Sequence, residues 1–257
     1  MIISYKHKYI FVGIPFSASS TISKELLEKY DGEFILNKHT NIPTLIDKLK
    51  ININEFIVFG VYRSPVEILK SRYNKLRNNP DNRFTDDKYT IKNGGYVPER
   101  VRKLSKIIRE NNLSFEDYLN LNFKIIPYNN EFTINAPYLN FIIDFNNLEE
   151  DFQKVLSKIG VVDVNKIEKI NETKKRSDIE YFISDGKMSK FISPFLVYNS
   201  KYIPNYTKQK VNKIFYLIFL LTNKLREKRT LKADDHRSLK NDVHFSENIF
   251  LQNKDKL

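Results

Sequence analysis

Along the first 160 positions, continuous apolar runs alternate with segments whose apolar residues recur at helical spacing. Residues 9–14 (YIFVGI) are apolar or aromatic on both faces of an extended chain, which predicts a strand buried in a parallel sheet. A turn of small residues follows over 15–20 (PFSASS). Ile22, Leu26, Leu27 and Tyr30 then mark a helix over 21–30, with Ser19 or Ser20 as its N-cap. A second strand is predicted over 33–36, running into Asn37-Lys38-His39-Thr40, and a second helix over 43–49. The third strand, 56–61 (FIVFGV), stops at Tyr62-Arg63-Ser64-Pro65, and Pro65 sits where a helix over 66–76 places its first-turn proline.

Residues 77–98 are polar and contain Pro80, Gly94 and Gly95, a long surface excursion of the kind that tends to carry function. Helices are predicted over 99–109 and 115–121, a fourth strand over 141–145 (FIIDF), and an amphipathic helix over 148–159 closed by Gly160 at its C′ position. Beyond Asn171 there is no strand pattern, only helices over 178–191 and 208–228 and a charged tail. No repeat is present. The alternation defines an α/β class: a P-loop-like, three-layer fold with a central parallel sheet flanked by helices. It occupies residues 1–200, followed by a helical, basic extension over 201–257.

Composition narrows the chemistry. There is no cysteine, which excludes disulfides, thiolate zinc sites and cysteine nucleophiles. His7, His39, His236 and His244 show no metal-ligand spacing, so no metal is expected. The net charge of +12 favours an anionic partner, and residues 201–257 hold 13 Lys/Arg against 6 Asp/Glu. The first residues lack a signal-peptide pattern, and no run reaches the ~18–20 apolar residues of a membrane span, so a cytoplasmic protein is expected. Residues 213–229 are apolar all round and then basic. They suit either a buried terminal helix or one lying peripherally on an anionic membrane.

In open α/β sheets, ligands bind outside the carboxyl ends of the strands. The turn of Phe16, Ser17, Ala18, Ser19, Ser20 and Thr21 falls there, and its small side chains and helix N-terminus suit an anion. It lacks the glycines and Lys-Ser/Thr pair of a Walker sequence, and plain helix capping is the alternative. Arg63 ends an apolar strand, and its planar fork suits a bidentate phosphate contact. Ser71 lies two helical turns further on, on the same side. The alternative for Arg63 is an ion pair with Glu67. Two anion sites on neighbouring strands point to a ligand with two separate phosphates.

The series KYIFVGIPFSASSTI, VYRSPVEILKSRY, FIIDFNNLEEDFQKVLSKIGV and NETKKRSDIEYF resembles, in order and spacing over residues 8–192, the sulfotransferases that use 3′-phosphoadenosine-5′-phosphosulfate (PAPS), most closely the carbohydrate branch. The resemblance implies that Ser17, Ala18, Ser19, Ser20 and Thr21 hold the 5′-phosphosulfate, that Arg63 and Ser71 hold the 3′-phosphate, and that Lys174, Lys175 and Arg176 close over the nucleotide. It implies transfer of a sulfonate to a hydroxyl of a glycan or other polar acceptor, with PAPS as donor. The family carries lysine directly after the turn's proline, where this chain has Phe16. A cation there stabilises the transferring group, so Lys38 or Lys24 is expected to substitute. His39 is the expected base, as some carbohydrate sulfotransferases place a catalytic histidine after this strand; Asp86, Asp87 or Glu99 is the fallback. Arg83, Lys88, Lys92, Tyr96 and Arg100 of the excursion suit an anionic sugar acceptor. The competing readings are a catalytically impaired nucleotide-binding protein, a kinase, and a nucleic-acid-binding module. The kinase lacks its Lys-Ser/Thr pair, and no nucleic-acid motif is present, so nucleic acid is not an expected partner.

Overall fold

The computed structural model describes residues 1–161 and 186–237. Its sheet begins with a hairpin. Ile2–Ser4 (β1) pairs antiparallel with Tyr9–Val12 (β2) in the register Ile2↔Phe11, Ile3↔Ile10 and Ser4↔Tyr9. Lys8 takes a left-handed φ of 51° at the corner, and the Ser4 hydroxyl accepts from the His7 amide.

This first strand corrects the expectation of a wholly parallel sheet. Three residues are too few to display a period of two, so β1 leaves no pattern in the sequence. It nonetheless inserts between β2 and the short edge strand Glu33–Phe34 (β3), antiparallel to both. Beyond β2 the pairing is parallel. β2 pairs with Ile57–Tyr62 (β4) from Tyr9↔Ile57 to Val12↔Gly60, and β4 pairs with Phe141–Asp144 (β5). The five strands run in the order β3-β1-β2-β4-β5.

Because side chains alternate across a strand, the two faces of the sheet collect different cores. Ile2, Tyr9, Phe11, Phe59, Val61 and Ile143 face Ser19–Lys29 (α1) and the helix Leu148–Lys158, with Ile22, Leu26, Phe152, Val155 and Leu156 buried between them. Ile3, Ile10, Val12 and Val58 face the opposite way, onto Ile42–Leu49 (α2) and Pro65–Asn78 (α3). The same layer includes Glu99–Glu110 (α4), Phe115–Phe123 (α5) and the short Glu131–Asn135 (α6). With Leu148–Lys158 as α7, the sheet therefore has helices on both faces. Gly160 ends α7 at φ 79°, as its C′ position requires.

The excursion is an ordered hook. Arg102 of α4 donates to the Phe84 carbonyl (3.1 Å), the Thr85 carbonyl (2.8 Å) and the Asp87 carboxylate (2.8 Å). Phe84 and Val97 are buried beneath it.

Two further helices, Gly186–Asn199 (α8) and Lys213–Arg237 (α9), complete the second layer. α8 overlaps only the end of the helix expected over 178–191; the rest of that range lies outside the described residues. α9 docks by one face: Phe219 and Asn223 are buried, Phe215 meets Phe191, and Arg226 pairs with Glu131. Ile214, Leu217, Leu221 and Leu225 remain exposed on the other face, so the all-round apolar stretch is covered on one side only. Among the described residues no helix is long and apolar enough to cross a membrane.

Phe59 packs fully buried against both Tyr9 and Phe11. Phe59→Ala should cost about 3–5 kcal/mol in urea unfolding, as large-to-small core changes do. Phe34→Ala, on the exposed edge strand, should stay within about 0.5 kcal/mol.

Candidate functional site

β2 delivers the chain to a tight turn at its carboxyl end. The Ser17 amide donates to the Ile14 carbonyl (3.3 Å), and Phe16 and Ala18 both adopt left-handed backbone, at φ 63° and 53°. Such conformations cost non-glycine residues about 1–3 kcal/mol each and persist only where the surroundings impose them. Ala18, not Ser19 or Ser20, is the N-cap of α1, and no side chain caps this helix. The expected serine cap fails because the second left-handed residue starts the helix one position early. Ser17, Ser19 and Thr21 are buried and Ser20 is exposed. The Ser17 hydroxyl, 1% exposed, has no hydrogen-bond partner among the described residues. A buried hydroxyl without a partner costs about 1–3 kcal/mol.

The loop after β3 folds onto the same turn. The Asn37 amide donates to the Thr40 hydroxyl and the Thr40 amide to the Asn37 carbonyl, each at 3.0 Å. Gly13 allows the approach: a Cβ there would stand 2.7 Å from the Lys38 carbonyl. Lys38 Nζ then donates to Ser20 Oγ at 2.8 Å. His39 Nδ1 is hydrogen-bonded to the Gly13 carbonyl, so Nδ1 carries the proton and the neutral ring keeps its lone pair on Nε2. Burial holds the His39 pKa below 6.5, against the opposing pull of the Gly13 carbonyl and with help from the charges of Lys38 and Lys75. Burial likewise lowers the pKa of Lys38. Lys24, the other candidate for the missing turn cation, lies on α1 beside Glu28 at 3.9 Å.

The β4 segment meets the turn from the other side. Arg63 is 9% exposed; its Nη1 donates to the Phe16 carbonyl (2.9 Å), its Nε lies 3.6 Å from Glu67, and its guanidinium stacks 4.0 Å from the centre of the Phe145 ring. The Glu67 pair, the alternative weighed for Arg63 from sequence, is therefore present. Ser71 is partly buried on α3. Lys174, Lys175 and Arg176 lie outside the described residues.

The acceptor candidates are scattered along the hook. Asp86 pairs with Lys88 at 3.1 Å and Asp87 with Arg102, so two of the three fallback carboxylates serve the hook itself. Arg83 lies 6.0 Å from the centre of the Tyr96 ring, whereas Lys92, Glu99 and Arg100 are simply exposed. Among the described residues no group of three or more His, Asp or Glu could hold a metal ion.

Two features were not foreseen from sequence. Lys75 of α3 stands 5.7 Å from the centre of the Phe16 ring. Its signal was available: Glu67, Ser71 and Lys75 follow Arg63 at intervals of four, which lines them along one side of the helix. The second is a cavity of about 180 Å³ beside the carboxyl end of β4, lined by Tyr62, Ser64, Ile192, Ser193 and Tyr206 among others. Most of that lining comes from beyond residue 188, where no periodicity links it to β4.

No family model, curated protein or solved structure matches the chain.

His39 should titrate below 6.5 by nitrogen-detected NMR, with Nδ1 as the protonated nitrogen of its neutral form. Gly13→Ala, by pushing away the Lys38 carbonyl, should move that pKa back towards the ordinary value; an unchanged titration would mean that the close approach at Gly13 does not set it.

Proposed function

We propose that this protein transfers a sulfonate from PAPS to a hydroxyl of a glycan or other polar acceptor. The observation that carries the reading is the convergence of Lys38 and His39 on the uncapped, serine-lined turn before α1. A cation and a neutral imidazole there flank a helix N-terminus beside which the buried Ser17 hydroxyl has no partner among the described residues. Helix N-termini with free backbone donors favour oxyanions. The four sequence segments that resemble the PAPS-dependent family supply the identity of the donor.

The chemistry follows from the tautomer. Nε2 of His39 takes the proton of the acceptor hydroxyl as its oxygen attacks sulfur, and the bond from sulfur to the 5′-phosphate oxygen breaks. The products are a sulfate ester, adenosine 3′,5′-bisphosphate and one proton, held on His39 until solvent removes it. The Lys38 ammonium stabilises charge gathering on the transferring sulfonate and the leaving phosphate. Ser71 and Arg63 receive the 3′-phosphate in this reading. Arg63 also holds the Phe16 carbonyl, so the two phosphate positions share one anchor.

A second reading, a nucleotide-binding protein with impaired transfer, is favoured by Phe16, which puts an apolar ring at the position where the resemblance expects a cation.

Adenosine 3′,5′-bisphosphate should raise the melting temperature, by binding the native state alone, and should do so more than ATP with magnesium. His39→Ala should lose about 100-fold or more in transfer, as loss of a general base does, with the bisphosphate shift intact. Transfer should also fall as pH drops below the His39 pKa, because only the neutral ring accepts a proton. A bisphosphate shift without detectable transfer from wild type would favour the impaired reading; no shift with either nucleotide would overturn both.

A further inference from the structure

The turn before α1 has more positive charge around it than the proposed mechanism uses. Lys75 projects from the last turn of α3, and its Nζ lies 5.7 Å from the centre of the Phe16 ring. Phe16 is in turn packed against the core of the α3 layer. Lys75 is therefore laid against the very residue that displaces a cation from the turn.

Neither Lys38 nor Lys75 has a carboxylate within ion-pair distance among the described residues. The acid nearest in effect is Asp81, which is exposed and pairs with Arg83 at 3.4 Å. The proton affinity of Lys75 is depressed, first by burial and then by the positive charges of Arg83 and Lys38. Lys75 also reaches His39 electrostatically, which places both lysines around the same imidazole. Partly desolvated ammonium groups that repel one another are an unfavourable arrangement unless an anion completes it. The unpartnered Ser17 hydroxyl, buried in the same turn, is a second sign of an absent acceptor or donor group. A cation over an aromatic face is held in place without losing its charge to a carboxylate, so it stays available to a ligand.

We propose that Lys75, supported on the Phe16 ring, supplies from α3 the positive charge that position 16 does not, and contacts the 5′ anionic group of the nucleotide together with Lys38. This assignment rests on the nucleotide reading given above. It makes Phe16 a platform for a cation carried by a neighbouring helix.

The test compares two probes on the full chain by isothermal titration: adenosine 3′,5′-bisphosphate, and adenosine 3′-monophosphate, which lacks the 5′ group. Lys75→Met keeps most of the apolar stem but not the charge, and should weaken the bisphosphate about tenfold or more while leaving the monophosphate within about twofold. Lys75→Arg should recover most of the loss. Lys106→Met, on α4 beside Glu110, should change neither. Bisphosphate affinity unchanged in Lys75→Met would overturn the role of Lys75 and leave the nucleotide reading standing. An equal loss for both probes would also overturn it, as the mark of a merely structural lysine. A wild-type protein that does not bind the bisphosphate would overturn the nucleotide reading and this inference with it.

Discussion

Arg63 is the point at which three segments of the fold are tied to one another. It leaves β4 at its carboxyl end, reaches across to the Phe16 carbonyl in the turn after β2, pairs with Glu67 in the first turn of α3, and stacks on Phe145 just beyond β5. The parallel register of β2, β4 and β5 brings these chain ends level, and the guanidinium fills the space between them. A charge this buried is tolerated only when its partners are in place. Removing it would leave the partly buried Glu67 without its cation and the Phe16 carbonyl without its donor. Arg63 thus holds the turn from the β4 side, alongside the Ser17 amide bond to Ile14 and the Lys38 bond to Ser20.

From that anchor the remaining geometry follows in sequence. With the Phe16 carbonyl held, the turn must close through two left-handed residues, and α1 starts at Ser19 without a side-chain cap. The uncapped end and the glycine at position 13 leave room for the loop after β3, which brings Lys38 to Ser20 and His39 to the Gly13 carbonyl. Strain, an unpartnered hydroxyl and desolvated cations gather in one place. Left-handed non-glycine residues and buried hydroxyls without a partner among the described residues also occur elsewhere, at Lys50 and Thr44 for example, while Asn41 caps α2 and Ser114 with Asp117 forms a capping box on α5. What distinguishes this turn is that backbone strain, a buried hydroxyl and two desolvated lysines meet at one strand end, the kind of local departure that functional sites carry.

Much of the scaffold was legible because burial on both faces leaves an unmistakable run. YIFVGI and FIVFGV read as interior strands, and the helices between them show their apolar stripes. What escaped notice did so for physical reasons. β1 has three residues, and its place in the sheet is decided by hairpin pairing with β2 rather than by any pattern of its own. The excursion read as a loose polar loop because the residue that orders it, Arg102, lies on the following helix and acts on carbonyls, which sequence does not display. The segment after residue 213 read as apolar all round, yet which face is covered depends on contacts with Phe191, Tyr198 and Asn129. Within the site, His39 and Lys38 could be singled out as polar residues following a strand that neighbours the turn. Lys75 shares the four-residue spacing that runs from Arg63 through Glu67 and Ser71, but its relation to position 16 is created by α3 running past the turn and is not displayed in the sequence.

That relation bears on how Phe16 is to be understood. A lysine at position 16 would add a third ammonium beside Lys38 and Lys75, in a region where burial already disfavours the charged forms of both. An aromatic ring at the same place does the opposite: its face attracts a cation and its edge joins the apolar layer under α3. The two arrangements are alternative solutions to one electrostatic problem, that of keeping enough positive charge near the turn without so much that the empty site unfolds it. With Phe16 in the turn, the charge must come from elements that are themselves well anchored. α3 is fixed by Leu69, Tyr73 and Leu76 in the core. The Lys38 loop is fixed by the Gly13 contact. Under the proposed reading Phe16 is thus compatible with an anion site, because Lys75 on α3 and Lys38 on the loop after β3 would carry the charge that position 16 lacks.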